Sequence, residues 1–317
     1  MHFIVTLLLI VLVALALLAL FTTLVAWRVD KAFRPPGEFT EVDGERLHYR
    51  TLGEGPPIVL VHGLGGETRN FDYLPLQELA TRWRLVLVDR AGSGHSPRRD
   101  AHKAGIPAQA RLVAGFIRAM DFQQPPLLVG HSLGGAIALA VALQEPQCIA
   151  GIALIAPLTH YPGGAPKPFG ALEIRHPHAR RFFAHTLAAP LAILTTPLAL
   201  HALFGPDPAP RDFGVRGGGL RSLRPAAFVT SSTDMMAVED QLPALQDHWG
   251  RIRLPVFLLH GEGDRVLDWR EQAEGLRAKL PDAQVTVIPG GHMLPVTQAA
   301  ATAAWLQECA QAVLRDL

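Results

Sequence analysis

The sequence has little of what several functional classes require. Its two cysteines, Cys148 and Cys309, are too few for a disulfide framework, and their surroundings predict a helix end and a terminal helix. The 29 Lys and Arg residues are balanced by 28 Asp and Glu residues without a basic block, so no nucleic-acid partner is expected. The 14 histidines show no ligand spacing such as His-Glu-x-x-His, so no metal is expected. No cofactor is expected either, because the chemistry that the motifs below predict needs none.

One long apolar run stands at the amino terminus. From Phe3 to Trp27 the chain is interrupted only by three threonines. A helix of this length, at about 1.5 Å per residue, exceeds the roughly 30 Å hydrocarbon core of a bilayer. A cleaved signal peptide is the alternative, but no basic segment precedes the run, and the apolar part of such peptides is shorter. We therefore expect residues 1–30 to be an uncleaved, single-pass membrane anchor.

The residues after the apolar run predict its orientation and its end. Trp27 suits a membrane interface, and basic residues follow between positions 28 and 34. By the positive-inside rule, these charges predict that the rest of the chain faces the cytoplasm. Residues 31–38 contain Pro-Pro-Gly and predict a short, stiff linker, after which residues 39–317 are expected to form one large domain.

A candidate nucleophile stands near the middle of the chain. The run Leu127 to Val129 predicts a buried strand, Gly-His-Ser-Leu-Gly follows it around Ser132, and Ala136 to Leu143 predicts a helix. A strand, a sharp turn and a helix are the context of a nucleophile elbow, in which flanking glycines let two backbones approach closely. We therefore expect Ser132 to be a nucleophile.

Three further loops carry the partners that a serine nucleophile needs. These partners are a base, a carboxylate that orients the base, and backbone donors for the oxyanion. The glycine-rich loop that starts at His62 is the candidate for the donors, Asp264 for the carboxylate and His292 for the base. Each follows an apolar run that predicts a strand.

These motifs, and the order Ser132, Asp264, His292 along the chain, resemble the α/β-hydrolase-fold serine hydrolases. The resemblance extends over residues 39–317. It implies a mostly parallel, eight-stranded sheet with helices on both faces, which here would follow one transmembrane helix. It also implies that the N–H groups of Leu64 and Leu133 form the oxyanion hole.

Three other residues compete for catalytic roles, and each has a structural explanation. Asp89 precedes the serine in the chain and begins a loop that resembles the family's Asp-x-x-Gly-x-Gly-x-Ser, so a structural role is expected. Asp268 stands before a helical run with a Glu three positions on, as in a capping box. In loops like that of His62, the imidazole usually braces the turn and is not a base.

Residues 158–253 interrupt the alternation of strands and helices. This stretch is rich in Pro, Gly, Arg and His and contains no clear strand, and an inserted cap fits both its position and its composition. Within it, His185 to Phe204 is long and apolar, and Pro190 and Pro197 predict two short helices there. This segment is either core packing of the cap over the pocket or a lid whose apolar face meets lipid or a lipid-like substrate.

The constellation predicts a serine hydrolase that cleaves carboxylic esters, with apolar or lipid-like acyl groups, through an acyl-enzyme. Carbon–carbon bond hydrolases and cofactor-free haloperoxidase-like or perhydrolase-like enzymes share the same triad and stay open as alternatives. A serine at position 132 excludes relatives that use a carboxylate nucleophile. The remaining alternative, from another class, is a non-catalytic, membrane-tethered binding protein.

Overall fold

The structure, a computed structural model, describes residues 1–164 and 167–314. Its centre is one sheet of eight strands in the order β1-β2-β4-β3-β5-β6-β7-β8. The strands are β1 (Glu38–Val42), β2 (Glu45–Leu52), β3 (Pro57–Val61), β4 (Arg84–Val88), β5 (Leu127–His131), β6 (Gly151–Ile155), β7 (Val256–Gly261) and β8 (Gln284–Ile288). Strands β3 to β8 pair in parallel, whereas β2 is antiparallel to both of its neighbours. The prediction of a mostly parallel, eight-stranded sheet is confirmed.

The hairpin at the sheet edge follows from its turn residues. Val42 pairs with Glu45, which leaves Asp43 and Gly44 as a two-residue turn. Both turn residues have positive φ angles, 47° and 74°, as a type I′ turn requires. The turn therefore sets the register of β1 against β2, and β2 then covers the outer edge of β4.

Helices cover both faces of the sheet. The helices are α1 (His2–Ala32), α2 (Leu76–Leu79), α3 (Ile106–Ala119), α4 (Leu133–Gln144), α5 (Pro177–Thr186), α6 (Ala188–Phe204), α7 (Pro225–Gln246), α8 (Gly275–Lys279), α9 (Leu294–Thr297) and α10 (Ala299–Val313). Alternate strand residues face opposite sides, so Val59 and Val61 pack with α3 and α4, whereas Ile58 and Leu60 pack with α2 and α10. Two apolar cores thus enclose the sheet.

Between β6 and β7 the described residues form only helices and loops, with no strand. The predicted pair of short helices within His185 to Phe204 is wrong, because α6 runs unbroken from Ala188 to Phe204. Pro190 is the third residue of α6, where its missing N–H costs little. Pro197 lies inside the helix, and the chain bends by 73° between α5 and α6 instead.

The amino-terminal helix is one continuous element that extends two residues beyond the predicted anchor, to Ala32. Its most apolar 18-residue window has a mean hydropathy of 3.3, and none of that window is buried. Further along, Val29 and Phe33 are buried against the rest of the protein. Within the predicted linker, Phe33 is therefore packed onto the domain, whereas residues 31, 32 and 34–38 are exposed.

Candidate active site

Ser132 lies at the sharp turn between β5 and α4, with φ 54° and ψ −119°. A non-glycine residue rarely adopts a positive φ, and such strain is concentrated at functional sites. The turn needs small neighbours: a Cβ on Gly134 would lie 2.3 Å from the carbonyl oxygen of Val61, and one on Gly130 would lie 2.3 Å from that of Gly134. The sequence therefore folds into the elbow that its glycines predict, with the half-buried Ser132 at its tip.

Asp264 and His292 form a buried pair at the same edge of the sheet. Asp264 follows β7, His292 follows β8, and His292 Nδ1 donates a hydrogen bond of 2.8 Å to Asp264 Oδ2. The other carboxylate oxygen accepts from the N–H groups of Val266 and Leu267 at 2.8 and 3.0 Å. Although burial alone would raise the pKa of Asp264, the charge and hydrogen bond of His292 and the Leu267 N–H lower it. Asp264 is thus held as a carboxylate that fixes the imidazole tautomer.

His292 contacts His131, the residue that precedes Ser132. The rings of His131 and His292 have centroids 5.1 Å apart, and His131 Nε2 donates to the carbonyl oxygen of His292 at 3.0 Å. The Ser132 hydroxyl makes no hydrogen bond within the described part of the chain. Catalytic hydrogen bonds are often long before substrate binds, so a hydroxyl without a partner is compatible with a nucleophile.

Two residues that line the space beside Ser132 have backbone N–H groups without a hydrogen-bond partner. Leu64 follows β3, Leu133 is the first residue of α4, and both line the same cavity as Ser132. Neither N–H donates a hydrogen bond to any residue that the structure describes. Free N–H groups at a helix start favour an anion because the helix dipole is positive there. Both N–H groups are therefore available to donate hydrogen bonds to a negatively charged oxygen, as an oxyanion hole requires.

The loop that carries Leu64 is fixed by two residues that sequence reasoning missed. The buried guanidinium of Arg90 donates to the carbonyl oxygens of His62 and Gly63 at 3.1 and 2.9 Å. Asp234 of α7 accepts from the same guanidinium at 2.9 Å. A Cβ on Gly63 would lie 2.9 Å from Ser132 Cβ, so the loop abuts the serine. In the sequence, Asp234 stands directly before two methionines, and an acidic residue in such an apolar context indicates a buried, paired charge.

The three competing residues have structural contacts. His62 Nδ1 donates to the Gly63 carbonyl at 2.9 Å and Nε2 accepts from the Arg90 N–H at 3.1 Å, while burial and the charge of Arg90 lower its pKa to about 4. Asp89 accepts from His48 Nδ1 at 2.7 Å and from two backbone N–H groups. Asp268 is exposed and accepts from the Arg270 N–H at 2.9 Å, at a helix start but without the predicted capping box.

The cavity beside Ser132 is lined mainly by apolar side chains. It has a volume of about 460 Å³, part of which is open to solvent. The insertion between β6 and β7 supplies just over half of the wall, with Met235 and Val238 contributed by α7. No lining residue comes from α6, so this helix does not form the lid over the pocket that the sequence suggested. The lining residues are Leu64, Ser132, Leu133, Leu158, Tyr161, Pro162, Gly164, Phe169, Met235, Val238, Val266 and Leu267.

Metal ligands are not clustered in the described structure. Across residues 1–164 and 167–314, no group of three or more His, Cys, Asp or Glu side chains has an arrangement that would hold a metal ion. His176 and His178 face each other with ring centroids 5.6 Å apart, but no third ligand joins them there.

Comparison with known proteins matches this architecture to one family. A family model described as alpha/beta hydrolase fold matches residues 56–299, which is more than half of the chain. The matched range contains strands β3 to β8 and all the candidate site residues.

Individual relatives differ in their named roles. The magnesium-chelatase 30 kDa subunit of Rhodobacter capsulatus is 29% identical over 76% of this chain and 82% of the relative. A pimeloyl acyl-carrier-protein methyl ester esterase of Nitrosospira multiformis is 27% identical over 78% of this chain and 92% of its own length. The crystal structure of a bacterial membrane phospholipase A is similar with a TM-score of 0.68 and 24% identity, covering 98% of each chain. The last likeness is one of fold, and it extends over the amino-terminal helix.

Proposed function

Because the chain belongs to the alpha/beta hydrolase fold family, we propose that it hydrolyses carboxylic esters with apolar acyl groups through Ser132, His292 and Asp264. One observation carries the proposal. A buried Asp264–His292 hydrogen bond lies at the sheet edge where a strained elbow presents Ser132. A structural serine does not require a strained turn, a buried carboxylate–imidazole pair and free backbone donors around one cavity.

In the acylation step, Ser132 Oγ attacks the ester carbonyl carbon while His292 Nε2 takes the hydroxyl proton. The imidazolium that forms is stabilised by the Asp264 carboxylate. The negative charge on the carbonyl oxygen is stabilised by the N–H groups of Leu64 and Leu133. Collapse of the tetrahedral intermediate breaks the ester C–O bond, and His292 returns its proton to the departing alcohol.

In the deacylation step, water attacks the acyl-enzyme with His292 again as the base. The same two N–H groups stabilise the second tetrahedral intermediate, and its collapse releases the acid and restores the Ser132 hydroxyl. All proton transfers pass through one imidazole, whose tautomer is fixed by Asp264. The mechanism needs no group beyond those of the chain and water.

The apolar wall of the cavity supports a substrate whose acyl group is apolar and binds in this cavity. Burial of each CH₂ contributes about 0.8 kcal/mol, so this wall favours longer acyl chains until it is filled. The names of two similar proteins, a methyl ester esterase and a membrane phospholipase A, agree with an ester of this kind.

We also propose that α1 anchors the enzyme in a membrane, with the catalytic domain on the cytoplasmic side. Its length, its mean hydropathy and the exposure of its first half support a span, and the basic residues between positions 28 and 34 support the orientation. Carbonate extraction tests the span, because a peripheral protein is released and a spanning one is retained. Protease added to spheroplasts tests the orientation, since a cytoplasmic domain is protected until the membrane is opened.

The activity is tested with p-nitrophenyl esters and purified full-length protein. Wild type should hydrolyse them, and Ser132→Ala and His292→Ala should each lose on the order of 10⁶-fold in kcat, since triad members act as a unit. Unchanged melting temperatures show that the variants fold. Near-normal turnover by either folded variant would contradict the mechanism.

A further inference from the structure

The chain carries a second apolar surface, on α6, that the active site does not use. Leu194 and Leu198 are 76% and 72% exposed, and Leu191 and Ile193 beside them are also exposed. The only titratable residue in the whole helix is His201, near its carboxyl end. A helix with this much exposed apolar surface and so few polar side chains is unsuited to water.

The hydroxyl groups on this surface are satisfied within the helix. Thr195 and Thr196 donate to the carbonyl oxygens of Leu191 and Ala192 at 2.8 and 2.7 Å. Thr6 and Thr23 of α1 do the same with the carbonyls four residues before them. Polar groups that meet hydrocarbon must be satisfied internally, so α6 shares this property with the proposed span.

The place where α1 meets the domain sets the depth of α6. A stripe of half-buried and buried residues runs along α1 from Leu15 to Val29, and α1 packs against both α5 and α6. Within it, the buried Thr22 hydroxyl donates to the carbonyl oxygen of Thr186 at 3.1 Å, two residues before α6 begins. Thr22 is about 28 Å along the helix from Phe3. The start of α6 is thus fixed near the boundary of the roughly 30 Å hydrocarbon core that α1 would cross.

Two residues in the middle of α5 are typical of a membrane interface. Phe182 is exposed beside Arg181, and Arg181 has no ion-pair partner among the residues described. Aromatic and basic side chains at the rim of an apolar face are typical of helices that lie in the headgroup region, where basic groups attract anionic lipid.

From these observations we infer that α6 is an interfacial helix, whose Leu191, Leu194 and Leu198 face enters the lipid surface beside α1. The domain then has two attachments to the bilayer, a span and a surface helix, and its orientation to the membrane is fixed. This inference rests on the proposed membrane anchor, but it adds a surface that the anchor does not require. The occupant is the bilayer, because α6 packs directly against α1, the proposed anchor.

The depth of α6 is measured with a fluorescent probe on single cysteines in the full-length chain. Leu194→Cys is compared with Leu12→Cys, near the middle of the α1 run, and with Gln311→Cys, an exposed position on α10. All three are made in a chain in which Cys148 and Cys309 are alanine and whose melting temperature is unchanged. The labelled proteins are reconstituted in vesicles of phosphatidylcholine and phosphatidylglycerol that carry a quencher at a shallow or a deep acyl position.

The Leu194 probe should shift its emission to the blue and lose more emission to the shallow quencher than to the deep one, since interfacial helices enter only about 5–10 Å. The Leu12 probe should show the opposite order, and the Gln311 probe should respond to neither. A Leu194 probe that matches Gln311, while Leu12 is quenched, overturns the inference and leaves the anchor intact. An unquenched Leu12 probe overturns the anchor itself, whatever ester hydrolysis shows.

A second copy of the chain is the competing occupant of the α6 face. It would shield the Leu194 probe from water without lipid quenching, and the shielding would grow with the protein-to-lipid ratio. That result would also overturn the inference.

Discussion

The buried charge cluster beside the loop that carries Leu64 makes a sharp prediction about stability. Asp234→Ala removes the carboxylate that pairs with Arg90 at 2.9 Å and with Arg98 at 2.5 Å. The side chains of Arg90 and Asp234 are each 1% exposed, so the guanidinium would be left buried and unpaired. Removal of one partner of such a pair costs about 3–5 kcal/mol, mainly because of the uncompensated charge.

This loss is a large part of the free energy of unfolding, which is about 5–15 kcal/mol for natural proteins. It corresponds to a fall in melting temperature on the order of 10 °C for a domain of this size class. Since Arg90 also fixes the His62 and Gly63 carbonyls, the loop of Leu64 should loosen, and kcat should fall more than KM rises.

The same helix offers a matched control. Asp240→Ala removes an exposed partner of Arg175, in a pair for which the expected cost is about 0–1 kcal/mol. Both variants are followed by thermal unfolding monitored by circular dichroism, and by ester hydrolysis. If Asp234→Ala melts no lower than Asp240→Ala, the cluster does not stabilise the fold in the way described.

Three further predictions follow from the site and its surroundings. Asp264→Asn should lower kcat by about 10⁴, because the imidazole tautomer is lost. Asp268→Asn should leave kcat and stability nearly unchanged, because Asn and Asp accept a backbone N–H at a helix start about equally well. Steady-state kinetics of the folded variants ranks the two carboxylates, and the reverse ranking would reassign the acid. Turnover of p-nitrophenyl esters should rise about fourfold per added CH₂ until the pocket is full. Met235→Asp should flatten that rise, because it places a charge in the apolar wall. Equal rates for acetyl and octanoyl esters in wild type would refute apolar selection. Stability should fall as the pH drops from about 6.5 to 4, because burial lowers the pKa of His62 to about 4 and the folded state then binds fewer protons than the unfolded chain. Burial raises the pKa of Glu67 to about 7, so protonation of Glu67 favours the folded state as the pH drops. His62→Gln should therefore weaken the loss of stability at low pH, and Glu67→Gln should make that loss steeper. Unchanged dependence of the melting temperature on pH in both variants would contradict this assignment.

The sheet was predictable from the sequence because its signals are local. The runs that form β3, β5 and β7 are apolar at nearly every position, as strands buried on both faces must be. Each predicted site residue follows such a run, and the carboxyl ends of parallel strands meet at one edge. The positions of Ser132 and Asp264 therefore followed from the order of motifs along the chain.

The helices of the insertion were harder to predict, because the effect of a proline depends on whether it lies in the first turn of a helix or in its interior. Pro190 was expected to break the segment, but a proline in the first turn of a helix removes no intrahelical hydrogen bond. Pro197 lies inside α6 and does not end it, although a proline there removes an intrahelical hydrogen bond. The bend occurs at Leu187, where no sequence signal marks it.

Long-range ion pairs could not be predicted from the sequence at all. Arg90 and Asp234 are 144 positions apart, and their contact depends on how α7 lies over the loop that carries Leu64. The packing of Phe33 against the domain also depends on residues distant in the sequence, and the residues next to Phe33 predict only a linker.

If Ser132 is an activated nucleophile, it should react covalently with a fluorophosphonate probe. The probe phosphonylates only a serine that has a base and an oxyanion hole in place. After reaction of the full-length protein, intact mass should show one adduct and peptide mapping should place it on Ser132. His292→Ala should react far more slowly. An adduct on another residue, or no adduct in folded wild type, would contradict the account.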